Sequence, residues 1–166
     1  ILERLPVTLS LTFLALTLAL LLGVLAGMIA AVRANTWSDQ GVMATALIGL
    51  SLPDFWLGLV FIWLFAVQLG WLPTGGYVPF AQDPLGWLRA MAMPAGCLAL
   101  TQMGLLARIT RASMLDVLRQ DFVRTARAKG LPGWVVVAKH AGANVLVPVL
   151  TVAGVATGIL LGGAVV

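Results

Sequence analysis

The cations of this chain gather where its oily segments pause. Between Arg108 and His140 stand Arg108, Arg111, Arg119, Arg124, Arg127, Lys129 and Lys139, against only Asp116 and Asp121. The centre of that region is Asp121 to Pro148, DFVRTARAKGLPGWVVVAKHAGANVLVP, the longest stretch that is not oily. Guanidinium and ammonium groups in such a setting recognise acidic rims or lipid phosphates; they do not make or break bonds. Parts for covalent or metal chemistry are missing. The sequence has no G-x-x-x-x-G-K-[ST] phosphate loop and no Cys/His metal spacing, and its single histidine, His140, can neither complete a zinc site nor serve a Ser-His-Asp set. His140 reads as a structural histidine at a membrane interface. The single cysteine, Cys97, lies in an apolar stretch and has no intrachain partner. The chain is therefore read as a non-enzyme that binds no cofactor and no metal.

Two further side chains matter because of where they lie. Asp54 is the only acidic residue inside a predicted span, and a carboxylate in lipid is costly enough to count as a functional hypothesis. It either caps a half-helix, since Asp accepts from the free N–H groups at a helix start, or lines a pathway. Gln102 either hydrogen-bonds between helices as packing glue or faces a polar passage.

The elements that must position these groups are membrane helices. Hydrophobic residues make up 61% of the chain and charged ones 10%, with a mean hydropathy of +1.04, whereas globular domains are about 25% charged. The expected fold is an all-α, polytopic membrane bundle forming one domain over 1–166. The net charge of +4 is explained by membrane topology, so no nucleic-acid role is read from it. The chain begins at Ile1 and stops at Val166 within an apolar run, and is read as a piece of a longer protein whose terminal spans lie elsewhere. The first apolar run is too long for a signal peptide.

Four spans are expected. Ile1 to Pro6, with Glu3 and Arg4, leads into span A (7–32), where Gly23 and Gly27 stand four apart. After a polar turn with Arg33 and Asp39 comes span B (42–69), interrupted at Ser51, Leu52, Pro53 and Asp54, where proline predicts a kink. Gly70 to Met93 is a connection rich in Pro, Gly and Trp. Its Trp71, Tyr77 and Trp87 suit the headgroup level. Pro94 opens span C (94–113), at whose end Arg108 and Arg111 snorkel toward water. Span D (145–166) carries Gly154, Gly158 and Gly162 on one face, a stronger small-residue seam than that of span A. The basic region is cytoplasmic by the positive-inside rule. The A–B turn is then inside, and the B–C connection outside.

The loop at 114–144 allows two readings. A cationic run beside a span is commonly a topology anchor or a contact to lipid headgroups. Its arrangement suggests more: Phe122, Val123 and Ala126 share a helical face, Ala128 and Gly130 keep the far end slim, and Arg124, Arg127 and Lys129 stand beside it. That shape suits insertion into a groove with an acidic rim. Gly130 is a natural helix stop, and Pro132 can open the next helix.

R-T-A-R-A-K-G at Arg124 to Gly130, followed by K-H-A-x-x-N at Lys139 to Asn144 and by Pro148, resembles the cytoplasmic "EAA" loop of ABC-importer permeases, in the form found in the dipeptide and oligopeptide branch. The likeness extends to R-L-P-x-T-L at Arg4 to Leu9, S-x-P-x-F-W-L-G at Ser51 to Gly58, L-G-W-L-P at Leu69 to Pro73 and R-x-x-R-x-S-M-L at Arg108 to Leu115. Two departures stand out. Arg124 replaces the Glu that names the motif, and Gly142 and Ala143 stand where a Leu-Arg pair is expected.

The resemblance implies a permease subunit in a prokaryotic cytoplasmic (inner) membrane. It implies a second, homologous permease, two cytoplasmic ABC ATPase subunits and an extracytoplasmic substrate-binding protein as partners. Phe122, Arg124, Thr125, Ala126, Arg127, Ala128, Lys129 and Gly130 would form the coupling helix that meets an ATPase subunit. The implied cargo is di- or oligopeptides, with nickel, glutathione and oligosaccharides handled by the same branch. A scaffold or secondary transporter whose loop only reads topology is the reading of a different class.

Overall fold

The computed structural model describes residues 5–163; the lead-in with Glu3 and Arg4, and the last residues of span D (164–166), lie outside the described residues. The described chain is helical, and no strand occurs in it. Helix α1 is Leu5–Val32, α2 is Trp37–Ser51, and α3 is Asp54–Phe61, which continues as a π-helical stretch Ile62–Gln68. Helix α4 is Pro84–Leu118 and α5 is Asp121–Ala128. The short α6, Gly133–Val135, runs through a π-helical stretch Val136–Ala141 into α7, Gly142–Gly163.

Helix α4 is the mast of the fold, with α1, α2, α3 and α7 all packed on it. Its 35 residues give a rod of about 52 Å at 1.5 Å per residue, longer than the bilayer core. The expected start at Pro94 is ten residues late. Pro84 occupies the first turn, where its missing N–H costs nothing, and the Asp83 carboxylate accepts from Leu85 N at 3.0 Å. Pro94 lies inside the helix instead. The connection shrinks accordingly, and Trp87 belongs to α4, stacked edge-on against Phe80 at 5.2 Å.

Small residues make the packing. Ala15, Ala19, Gly23, Gly27 and Ala31 lie along one face of α1 at every fourth position, all buried, while Leu21, Leu22, Leu25 and Ile29 face outward. Where hydrocarbon surrounds the protein, large apolar residues gain nothing by turning inward, and close backbone approach drives association. At Gly27 a Cβ would stand 2.5 Å from the Ala107 carbonyl, and at Gly23 2.9 Å from that of Met103. The α2–α4 contact is built in the same way, with Gly104 against the Ala46 carbonyl and Gly49 against that of Leu100.

The seam expected to be stronger packs on nothing here. A Cβ at Gly154, Gly158 or Gly162 would meet no atom within 4 Å among the described residues. Helix α7 buries Val145, Val149, Ala153, Ala156 and Leu160 instead, on the side where it packs against α1 and α4. Any packing role of the glycine seam needs a helix other than those described.

The kink in span B is a break. Helices α2 and α3 diverge by 102° around Leu52 and Pro53, yet both follow α4 in the same sense. Asp39 lies near Arg111, Ala46 near Gly104 and Gly49 near Leu100; then Asp54 meets Thr101 and Phe61 meets Gly96. Three helices are long and apolar enough to cross a membrane, or four if the bent pair counts as one span.

Candidate functional site

Two places collect the groups singled out from sequence, and α4 links them. The first is the break in span B. Pro53 has no N–H, Leu52 N closes α2 on the Ile48 carbonyl, and Trp56 N and Leu57 N both turn back to the Pro53 carbonyl. The Asp54 side chain makes no capping bond, contrary to the capping expectation. Its Oδ1 accepts from Thr101 Oγ1 at 2.7 Å, and its carbonyl accepts from Cys97 Sγ at 3.2 Å. Asp54 is turned toward α4 and away from its own N–H groups, because α3 leaves the break at a steep angle.

Asp54 and Gln102 line one recess of about 380 Å³ together with Leu11, Thr12, Thr101 and Ile159. Four helices, α1, α3, α4 and α7, contribute to it. Ser51, Pro53 and Asp54 are exposed at its edge. Irregular backbone at membrane depth is tolerated only where protein covers it or where it borders water. The exposed break with its carboxylate therefore calls for covering protein or water beside it. Among the described residues no cation pairs with Asp54, and the Gln102 amide has no hydrogen-bond partner.

The second place is the basic loop at 114–144. Helix α5 ends as its sequence suggests: Gly130 adopts φ +77°, Gly130 N donates to the Arg127 carbonyl at 2.9 Å, and Leu131 N donates to that of Ala126 at 3.4 Å. This paired closure needs a residue that tolerates the left-handed region. The apolar face does not point outward. Val123 and Ala126 are buried in the chain's own core with Met114, Val117, Val136 and Ala141, which corrects the assignment of Ala126 to an outward groove contact. A short helix with one apolar stripe satisfies that stripe on the nearest hydrocarbon, here the C-terminal end of α4 and the segment that leads into α7. The face left outside carries Phe122, Arg124, Thr125, Arg127, Ala128, Lys129 and Gly130, flanked by Leu131 and Trp134. Arg124 stands 3.6 Å from Asp121, both fully in solvent; such a pair holds little.

One functional arrangement escaped the sequence reading. Arg111 does not snorkel: its Nε and Nη2 donate to Asp39 Oδ1 and Oδ2 at 2.5 and 2.6 Å. Asp39 Oδ2 also accepts from Asn35 N at 2.9 Å, closing a turn in which Asn35 has φ +63°. The Asp39 side chain is 4% exposed and that of Arg111 25%. The two-pronged geometry clamps the α1–α2 turn to α4 just above the loop. The signal was present, since Asp39 lies in the polar turn after span A and Arg111 at the basic end of span C.

Residues 23–166 match the family model described as "Binding-protein-dependent transport system inner membrane component". The chain is similar to a Brucella suis protein that bears a peptide transport system permease name, at 51% identity over all of this chain and 53% of that protein. It is 42% identical to a dipeptide transport system permease protein of Alkalihalophilus pseudofirmus, over 97% of this chain and 54% of the relative. It is 41% identical to an oligopeptide transport system permease protein of Bacillus subtilis, over 100% and 53%. The chain thus spans about half the length of the curated relatives it matches.

Proposed function

The chain belongs to the family of binding-protein-dependent transport system inner membrane components, and from that premise we propose that it is part of a permease subunit of an ATP-driven importer of di- or oligopeptides. The peptide cargo is supported by the names of the relatives. In this reading the protein resides in a prokaryotic inner membrane and binds no cofactor itself. It works with a second, homologous permease, two cytoplasmic ATPase subunits and an extracytoplasmic substrate-binding protein.

The observation that carries the coupling role is the division of α5 into two faces. Val123 and Ala126 root it in the core shared by α4 and the last span, while Phe122 and the cations Arg124, Arg127 and Lys129 stand free. An acidic cleft on an ATPase subunit fits that outer face. Displacement of the loop is then passed to α4 as rigid-body motion, because a fully buried Val123 cannot slide without repacking its neighbours. The hydrated recess at the break, with Asp54 and Gln102, lies on the translocation pathway.

The test is to purify the full-length permease gently from membranes and identify what accompanies it. An ATPase subunit that co-purifies with the wild type and is lost when Phe122, Arg124, Arg127 and Lys129 are scrambled at constant charge supports the reading. Well-folded permease that brings no ATPase refutes it.

A further inference from the structure

Resting on the importer reading above, we infer that the recess between α1, α3, α4 and α7 holds the primary ammonium group of the transported peptide, with the Asp54 carboxylate as its counter-charge. Thr101 uses one lone pair of one carboxylate oxygen, and a carboxylate offers about four such sites. The carboxylate lines a cavity whose volume of 380 Å³ falls within the range of about 300–1,000 Å³ usual for small-ligand pockets. Gln102, next to Thr101 on α4, supplies an acceptor oxygen, and Thr12 on α1 a hydroxyl.

An unpaired carboxylate at membrane depth is costly unless a cation visits it, and the described residues supply none. The donor set distinguishes between cations. One carboxylate with neutral oxygens suits a singly charged ammonium with three N–H donors. A divalent metal needs more anionic or imidazole ligands, and no group of three His, Cys, Asp or Glu side chains occurs among the described residues. The apolar walls, Leu11, Leu98 and Ile159, accommodate the side chains that follow the amino terminus without selecting among them.

The test uses the whole transport complex in proteoliposomes, with radiolabelled tri-alanine bearing a free amino terminus as probe and ATP hydrolysis followed in parallel to report assembly. Asp54→Asn, which keeps shape and hydrogen bonding but removes the charge, lowers tri-alanine uptake about tenfold or more, the scale of one charge-assisted hydrogen bond. Asp54→Glu recovers part of it. Gln102→Leu lowers uptake severalfold without touching the Asp54–Thr101 bond, so the idea stays testable if the Asp54 variants assemble poorly. Thr101→Val keeps the charge and removes the tie between helices; the inference requires its loss to be much smaller than that of Asp54→Asn. Equal losses from Thr101→Val and Asp54→Asn make Asp54 a helix tie and overturn the inference. Uptake of tri-alanine undiminished by Asp54→Asn overturns it while leaving the importer reading intact. A wild-type complex that hydrolyses ATP but imports no peptide overturns the importer reading and this inference with it.

Discussion

Removing the Asp39 carboxylate is the most informative single change. In Asp39→Ala, Arg111 loses both carboxylate contacts, at 2.5 and 2.6 Å, and Asn35 N loses its acceptor. Breaking a fully buried pair costs about 3–5 kcal/mol. Arg111 is a quarter exposed, so water recovers part of its solvation, and about 2 kcal/mol is the better figure for the stranded cation. The unmade bond at Asn35, where the backbone sits at φ +63°, adds about 1 kcal/mol. At 2–4 °C per kcal/mol for a domain of this size, the total of about 3 kcal/mol lowers the thermal midpoint by about 6–12 °C. The assay is thermal unfolding of the detergent-solubilised full-length permease. A double variant, Asp39→Leu with Arg111→Leu, leaves no stranded charge and unfolds at a higher temperature than Asp39→Ala. A midpoint for Asp39→Ala within 2 °C of wild type, or a double variant worse than Asp39→Ala, would refute the clamp.

Other consequences follow from the packing and the loop. Gly27→Ala places its methyl 2.5 Å from the Ala107 carbonyl and 2.6 Å from Thr110 Cβ, so it lowers the yield of monodisperse protein severalfold, whereas Gly158→Ala, with open space around it, leaves the chain's own folding unchanged; equal yields in size-exclusion chromatography would contradict the assigned crossing. Arg124→Glu with Arg127→Glu preserves the thermal midpoint, because both side chains are in solvent, but abolishes ATPase co-purification; retention of the ATPase would remove these cations from the interface. Val123→Asp buries a charge in the α5 core and lowers the midpoint by more than 5 °C, on the basis of about 3 kcal/mol or more for an unpaired buried charge, so a wild-type midpoint would mean that α5 is not rooted as described.

The helical class was legible because lipid forces the issue: an apolar run long enough to cross must close its own hydrogen bonds. The break at Ser51 to Asp54 was legible through Pro53, but its size was not. Nothing local says whether a proline bends a helix by a few degrees or parts it at 102°, since that depends on whether α4 holds both arms. Hydropathy marks the part of a helix in the membrane and not its ends, which is why Pro94 was taken as the start of α4. The cap signal lay ten residues earlier, in the Asp83–Pro84 pair. Glycine spacing shows which faces can approach closely, not which ones do. Gly23 and Gly27 are extended by Ala15, Ala19 and Ala31 at the same interval, and that longer stripe of small residues outweighed the three glycines of α7.

The same limitation hid which face of α5 looks outward. Amphipathicity gives a stripe but no direction, and a stripe consisting of Val123 and Ala126 serves the chain's own core as well as a partner's groove. What decides is the distance to α4, whose C-terminal end brings Met114 and Val117 under the loop. Once α5 is seated there, the recess and the loop become two stations on one rod. Thr101, which bonds Asp54, and Met114, which lies under Val123, are thirteen residues apart, about 20 Å along the helix. No proline interrupts that stretch, Gly104 within it is held against the Ala46 carbonyl, and Arg111 is pinned to Asp39. Pro94, the one proline of α4 beyond its first turn, lies on the far side of these contacts from the loop. The stretch of α4 from Thr101 to Met114 is thus a continuous rod tied at both ends, to Asp54 at the recess and to Val123 beneath the loop. On the importer reading proposed above, a push delivered at Phe122 and Arg124 reaches the Asp54 recess along this rod.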